Sequence, residues 1–185
     1  MNRRSVADVV GPPSGEVAVL IDVQSKLSAP PVVTAARVMS HFGEHAAGWV
    51  GLSAAGALLA PGRRREWLLV GVGSVAAHAA SIVIKMVVRR RRPHHPGIAV
   101  KVATPSSLSF PSAHATSTAA AAMLLSRATR SPLPLVLVPL MGVSRLVLGV
   151  HYPTDVLAGV IVGATVARTV THLAGPHKET PRERP

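Results

Sequence analysis

Residues 67–88 read WLLVGVGSVAAHAASIVIKMVV, and this stretch decides the fold class. A helix rises about 1.5 Å per residue, so crossing a hydrocarbon core of about 30 Å takes roughly 20 apolar residues. Only His78 and Lys85 interrupt the run. Arg63-Arg64-Arg65 precede it and Arg89 to Arg92 follow it. Backbone polar groups in lipid must be satisfied within the segment, which a helix does. Trp67–Val88 is therefore expected to span a membrane.

Outward from this span the same logic marks further helices. Residues 46–60 are rich in Gly and Ala and are short for a span unless Phe42 and Trp49 mark their end. Residues 113–125 form an alanine-rich run, with Ser112 at the position of an N-cap and Pro111 before it. Leu133 to Gly149 reads as a span carrying Arg145, and Val156 to Val170 as the last, with Pro153 suited to its first turn. Residues 16–40 mix short apolar stretches with Asp22, Lys26 and Arg37 around Pro30-Pro31, which suits helices lying at the interface. The expected fold is all-α, an integral membrane bundle of five to six helices over residues 16–174. A flexible N-terminus (1–15) and a disordered tail (175–185) are expected to flank it.

Composition agrees. The 185 residues carry 20 Lys+Arg against 8 Asp+Glu, a net charge of +12, yet only 15% are charged and mean hydropathy is +0.37. A solvated basic protein would carry roughly 25% charged residues, so this is a membrane chain with basic loops. There is no cysteine, which excludes a disulfide framework, a thiol nucleophile and a thiolate metal site. The polar start with Gly11-Pro12-Pro13 does not make the apolar core of a cleavable signal peptide.

Ionisable groups inside apolar segments are costly and point to function. Between Trp67 and Lys178 the only carboxylate is Asp155, against Lys85, Arg89 to Arg92, Lys101, Arg127, Arg130, Arg145 and Arg168. A two-metal hydrolase needs several carboxylates, so that mechanism is excluded, and neither a metal nor another cofactor is expected. The site should bind an anion directly. Lys85 and Arg92, two turns apart on a helix ended by Pro93, can face one pocket; alternatively Lys85 snorkels and the arginines set topology. His114 lies at a helix start, where free N–H groups attract an anion and an imidazole can protonate a leaving group; alternatively it is an interface histidine behind a capping serine. Gly149 and Pro153 allow the chain to turn His151 back toward Arg145, with Asp155 one helical turn beyond. A carboxylate on one ring nitrogen would leave the other free as a nucleophile. The competing reading is an Asp155–Arg145 pair joining two helices.

Lys85 to Arg92-Pro93, then Pro111-Ser112-Ala113-His114, then Ser144-Arg145 with His151 and Asp155, resemble the three-part signature of the type 2 phosphatidic acid phosphatase family. The motifs cover residues 85–155 in the right order and spacing. The resemblance implies a helical bundle shared with vanadium-dependent haloperoxidases, and metal-independent hydrolysis of a phosphomonoester or diphosphate. It implies that His151 is the nucleophile, oriented by Asp155, and that His114 is the acid for the leaving oxygen. Lys85, Arg92, Ser112, Arg145 and the backbone of Ala113 would hold the phosphate. Ala113 stands where the family has glycine. Its N–H remains available if the residue is helical.

The short chain, its alanine-rich spans and its Arg-rich turn further resemble family members that act on polyprenyl-linked phosphates. That resemblance implies a polyprenyl-linked ribose phosphate as the expected substrate. Other lipid phosphates, prenyl diphosphates and phosphatidylglycerophosphate are the alternatives, and a haloperoxidase is the nearest different enzyme. A non-catalytic basic membrane protein binding anionic lipid or nucleic acid is the competitor from another class. The enzyme reading expects a bilayer and a lipid phosphate as partners and no nucleic acid. The balance of basic residues leans toward a site on the extracytoplasmic face of the cell membrane.

Overall fold

Small residues set how closely these helices approach. The computed structural model describes residues 14–175, and among them lie seven α-helices and no strand. They are α1 (Gly15–Leu27), α2 (Pro30–Gly43), α3 (Ala47–Leu59), α4 (Arg64–Val88), α5 (Ala113–Thr129), α6 (Leu137–Val147) and α7 (Pro153–Ala174). The first two occupy the region expected at the interface; α3 to α7 are the five apolar segments of the bundle. The expected terminal segments 1–15 and 175–185 lie, apart from residues 14, 15 and 175, outside the described residues.

Helix α5 is the centre, packed between α4 and α7 and buried nearly all round from Ala115 to Ala122. A run of alanines can be central because it keeps no neighbour at a distance. On α7, Gly159 and Gly163 present bare backbone to it. A Cβ at Gly159 would lie 2.8 Å from the Ser112 carbonyl oxygen, and one at Gly163 2.2 Å from that of Thr116. Gly73 of α4 receives Leu124 in the same way, and Gly56 of α3 lies against the Trp67 ring.

Large apolar side chains point outward. Met86 and Val87 are 69% and 78% exposed, and Leu157 and Ile161 on α7 are exposed as well, while Ser74, Ser81, Thr116, Thr118, Arg145 and Asp155 are buried. That outward-facing apolar surface, together with two helical stretches long and apolar enough to cross a membrane (61–88 and 153–174), gives the bundle the character of a membrane protein.

Two expectations fail locally. The helix bearing Lys85 does not run on to Pro93: it ends at Val88, where Arg89 turns left-handed (φ 55°) and returns its N–H to the Lys85 carbonyl. Arg92 is therefore on a loop, not two turns along the same helix. The expected span from Leu133 to Gly149 is shorter, because Pro132 and Pro134 lack amide hydrogens and force a 3₁₀ start at Leu133–Val136 before α6. The apolar stretch Leu133–Val147 falls short of a span.

The other end of the bundle is tied by cations. Arg63 donates to the Ala128 carbonyl at 3.0 Å and Arg65 to that of Ala174, which places the basic turns at residues 63–65 and 127–130 away from the loop 89–112.

Candidate active site

The loop after α4 folds back on the end of its own helix. Arg92 N–H donates to the Ser107 carbonyl (3.2 Å) and Ser109 N–H to that of Arg90 (2.7 Å), with a bridge between Arg91 and Leu108. Lys85, buried at the end of α4, fastens the returning segment by donating to the carbonyls of Ser109 (3.2 Å) and Pro111 (2.6 Å). Its ammonium sits directly under the segment that enters α5. Arg92 crosses the loop, with Nε on the Ser106 carbonyl (2.8 Å) and Nη1 on that of Val150 (2.7 Å).

At the start of α5, Ser112 is the N-cap and its Oγ accepts the Ala115 N–H at 3.4 Å. Its own N–H donates to the Asp155 carbonyl (2.9 Å), so the N-termini of α5 and α7 are joined. Ala113 is the first helical residue and has no positive φ, so alanine is unstrained where the family has glycine. His114 Nε2 donates to the Ser40 carbonyl at 3.0 Å. Arg145, 1% exposed, donates to Ser144 Oγ, Ser40 Oγ and the Ala36 carbonyl. It makes no pair with Asp155, which removes the helix-joining alternative.

Gly149, at φ +69°, turns the chain after α6; a Cβ there would lie 2.5 Å from the Ala99 carbonyl oxygen. The turn delivers His151 to the same place as Arg145. Its Nε2 lies 3.1 Å from Arg92 Nη1, and its Nδ1 faces Asp155 Oδ2 at 3.6 Å, long for a hydrogen bond. An arginine can only donate, so Nε2 carries the lone pair and Nδ1 the proton. Burial, reinforced by the charges of Arg92 and Lys85, pushes the His151 imidazole down to about 4, against the pull of Asp155. The ring is neutral at pH 7.

Asp155 is the third residue of α7. Its Oδ2 accepts the Tyr152 N–H (2.8 Å) and its Oδ1 accepts Arg90 Nη1 (2.9 Å). Arg90 stacks 4.1 Å over the Tyr152 ring and pairs through Nη2 with Glu16 of α1 (2.5 Å). Glu16 in turn accepts the N–H (2.9 Å) and hydroxyl (2.7 Å) of Thr154.

Lys85, Arg92, Ala113, His114, Arg145 and His151 line one cavity of ≈ 510 Å³; Ser112 and Asp155 stand directly behind it. The model of the PAP2 superfamily matches residues 66–178, which hold all eight of these residues. The chain belongs to the PAP2 superfamily. Among curated proteins, decaprenylphosphoryl-5-phosphoribose phosphatase of Mycolicibacterium smegmatis is 66% identical over 148 residues, covering 80% of this chain and 82% of that protein. The protein of the same name from Mycobacterium tuberculosis is 58% identical over 164 residues, covering 88% and 93%. Among solved structures, the crystal structure of a transmembrane PAP2 type phosphatidylglycerolphosphate phosphatase from Bacillus subtilis superposes with a TM-score of 0.67 over 85% of both chains at 23% identity, a likeness of fold.

Sequence reasoning on this PAP2 chain missed Ser40, Arg90 and Glu16. Arg90 stood among four consecutive arginines, and only the left-handed turn at Arg89 decides which of them faces inward. Ser40 and Glu16 sit on helices outside the motifs and carry no spacing signal.

Proposed function

We propose that this PAP2 protein hydrolyses the 5-phosphate of decaprenylphosphoryl-5-phosphoribose at the cavity described above. The observation that carries the mechanism is the attitude of His151: buried, neutral, its protonated nitrogen toward Asp155 and its lone pair toward Arg92. The curated relatives' name supplies the substrate.

A phosphate drawn to Arg92, Lys85 and Arg145, with the N–H groups at the start of α5 completing the cradle, brings phosphorus against Nε2 of His151. Nε2 attacks in line, the bond from phosphorus to the sugar oxygen breaks, and His114 gives that oxygen a proton. With Nε2 of His114 held by the Ser40 carbonyl, the acid is the imidazolium formed beside the bound phosphate dianion, and its Nδ1 gives the proton to the leaving oxygen and regains one from water. Asp155 stabilises the positive ring of the phosphohistidine. Water, losing its proton to His114, then attacks phosphorus and releases phosphate, restoring both histidines. Lys85 and Arg145 are fixed by their partners before substrate arrives, and Arg92 exchanges its contact with Nε2 for the phosphate, which frees the lone pair to attack.

The phosphate-binding end of the cavity, at Lys85, Arg92 and His151, lies at the ends of helices, and on this reading it sits at headgroup depth, so the prenyl chain stays in lipid while the phosphate enters from the side. On this reading the protein is a multi-pass protein of the cell membrane with residues 16–174 as its catalytic domain. The basic turns at 63–65 and 127–130 are cytoplasmic, and the site is extracytoplasmic.

The test is phosphate release from decaprenylphosphoryl-5-phosphoribose in detergent micelles by wild type and His151→Ala. Activity retained by the variant would sink the mechanism, and equal catalytic efficiency on free ribose 5-phosphate would sink the lipid substrate. Because the chain has no cysteine, single Ser106→Cys and Arg64→Cys variants read the sidedness directly through labelling by an impermeant maleimide. Labelling of only Arg64→Cys from outside would reverse the orientation.

A further inference from the structure

A phosphate takes roughly the room of three waters, on the order of 100 Å³, whereas the cavity measures ≈ 510 Å³. The remaining space is walled by a second set of polar side chains that the mechanism does not use: His41 from the last turn of α2, Glu44 and His45 from the turn between α2 and α3, and His78 from α4. His78 is seven residues before Lys85, two turns and about 10 Å along the same face of α4. Whatever is attached to a phosphate held at Lys85 is within reach of it.

Two features show that this end is built. His45 (φ 50°) and Ala46 (φ 60°) are consecutive non-glycine residues in the left-handed region, a conformation costing about 1 kcal/mol or more at each. The turn is held because Ala46 is fully buried in the cluster with Trp49 and Val70, and because Gly43, two residues earlier, packs bare backbone against the His114 ring. The strained turn brings the His45 ring to 5.8 Å from that of His78. His78 Nδ1 is buried and makes no hydrogen bond, an expensive state in a membrane bundle unless a ligand supplies the partner.

We infer that His45 and His78 form a polyol subsite, which binds the sugar hydroxyls next to the reacting phosphate and sets the enzyme's preference for a sugar-bearing lipid. The two rings suit vicinal hydroxyls because each can take one of them, His78 through its unpartnered Nδ1 and His45 through a nitrogen of its own. Between the two ends, Ile82 and Met86 line the cavity and are exposed on the outer face of α4, an apolar exit for the lipid chain. A site that hydrogen-bonds a substrate hydroxyl rejects the analogue lacking it more strongly than an apolar pocket could, since its own polar groups would be left bare.

The inference rests on the substrate reading above, and the experiment separates the two. Catalytic efficiencies are measured in the same micelles on decaprenylphosphoryl-5-phosphoribose and on phosphatidic acid, a phosphomonoester without sugar, for wild type, His78→Phe, His78→Asn and His45→Ala. The ratio of the two efficiencies should fall at least tenfold in His78→Phe and His45→Ala, chiefly through KM for the sugar lipid. A headgroup lacking the 2- and 3-hydroxyls should bring wild type down to the level of the variants. A ratio unchanged in every variant that folds, or both substrates falling by the same factor, overturns the subsite. Wild type hydrolysing phosphatidic acid but not the sugar lipid overturns the substrate reading itself, and the subsite with it.

Discussion

The two ends of this bundle are both rich in arginine, and they use it in opposite ways. At the 63–65 and 127–130 end, Arg63 and Arg65 reach the last carbonyls of α5 and α7 while Arg64 and Arg127 are exposed. Cations there complement helix C-termini, a contribution of about 0.3–1 kcal/mol each. At the cavity end Lys85 and Arg145 are buried, and Arg90 and Arg92 are half-buried. Each is bonded to segments far away in the chain. A buried cation costs several kcal/mol unless partners surround it, so its presence there reports selection for a site. Charge count does not separate the ends; burial and long-range partnership do.

The comparison is broken most severely at Asp155. Asp155→Asn keeps the shape but withdraws the charge that faces His151 Nδ1 and pairs with Arg90. It should lower kcat by about 10²–10⁴-fold, the range for a histidine whose orienting carboxylate is lost. Arg63→Ala or Arg127→Ala at the other end should stay within about twofold. Steady-state phosphate release on matched lipid substrate measures both, and comparable losses at the two ends would erase the distinction.

Much of this was legible in the sequence, and the boundary between what was and was not is physical. The spans, the N-cap at Ser112, the first-turn Pro153 and the return of His151 at Gly149 are local consequences of residue type. The gathering of Lys85, Arg92, His114, Arg145 and His151 followed from the family signature. The 3₁₀ start before α6 was local, announced by Pro132 and Pro134; the end of α4 at Arg89, fixed by the loop pairing with Ser107 and Ser109, was set by pairing at a distance and illegible. So were the inward arginine at position 90 and the partners Ser40 and Glu16. The carboxylate count between Trp67 and Lys178 was correct, yet Glu16 from α1 brings a second carboxylate near Asp155. Arg90 fills the space between them. Activity should therefore persist in excess EDTA. Loss of turnover in chelator with recovery on added magnesium would remove the direct cationic mechanism.

A second contrast, between two glycines, tests the packing. Gly163→Ala drives a methyl into the Thr116 carbonyl and Ala119, and should cost about 1–3 kcal/mol by overpacking. Gly51→Ala, with open space around its Cβ, should be neutral or stabilising by up to about 1 kcal/mol. Thermal unfolding in detergent compares them. A smaller effect is electrostatic. Since burial and the Arg92 and Lys85 charges depress His151 to about 4, the ring should stay neutral through pH 6 and take up its proton only as pH falls toward that value. Removing the guanidinium in Arg92→Gln should move the midpoint upward, as histidine NMR titration would show; a downward move would mean Arg92 does not act on the ring through charge.

The smallest expected effect concerns Glu16, which links α1 to the site through Arg90. Its side chain is 30% exposed, so solvent screens the pair and the loss on neutralisation is modest. Glu16→Gln keeps an acceptor for the Thr154 N–H but removes the charge that holds Arg90 against Asp155. With Arg90 freer to swing, Asp155 retains the Tyr152 N–H as its remaining anchor, and the His151 ring samples more orientations. The expected outcome is a two- to fivefold lower kcat with KM for the lipid unchanged, because the phosphate cradle is untouched. The double variant Glu16→Gln/Arg90→Gln should lose no more than Arg90→Gln alone, since both act through the same carboxylate. Additive losses in that cycle would mean that Glu16 supports α7 through Thr154 by itself, and that α1 stabilises the fold without orienting the nucleophile.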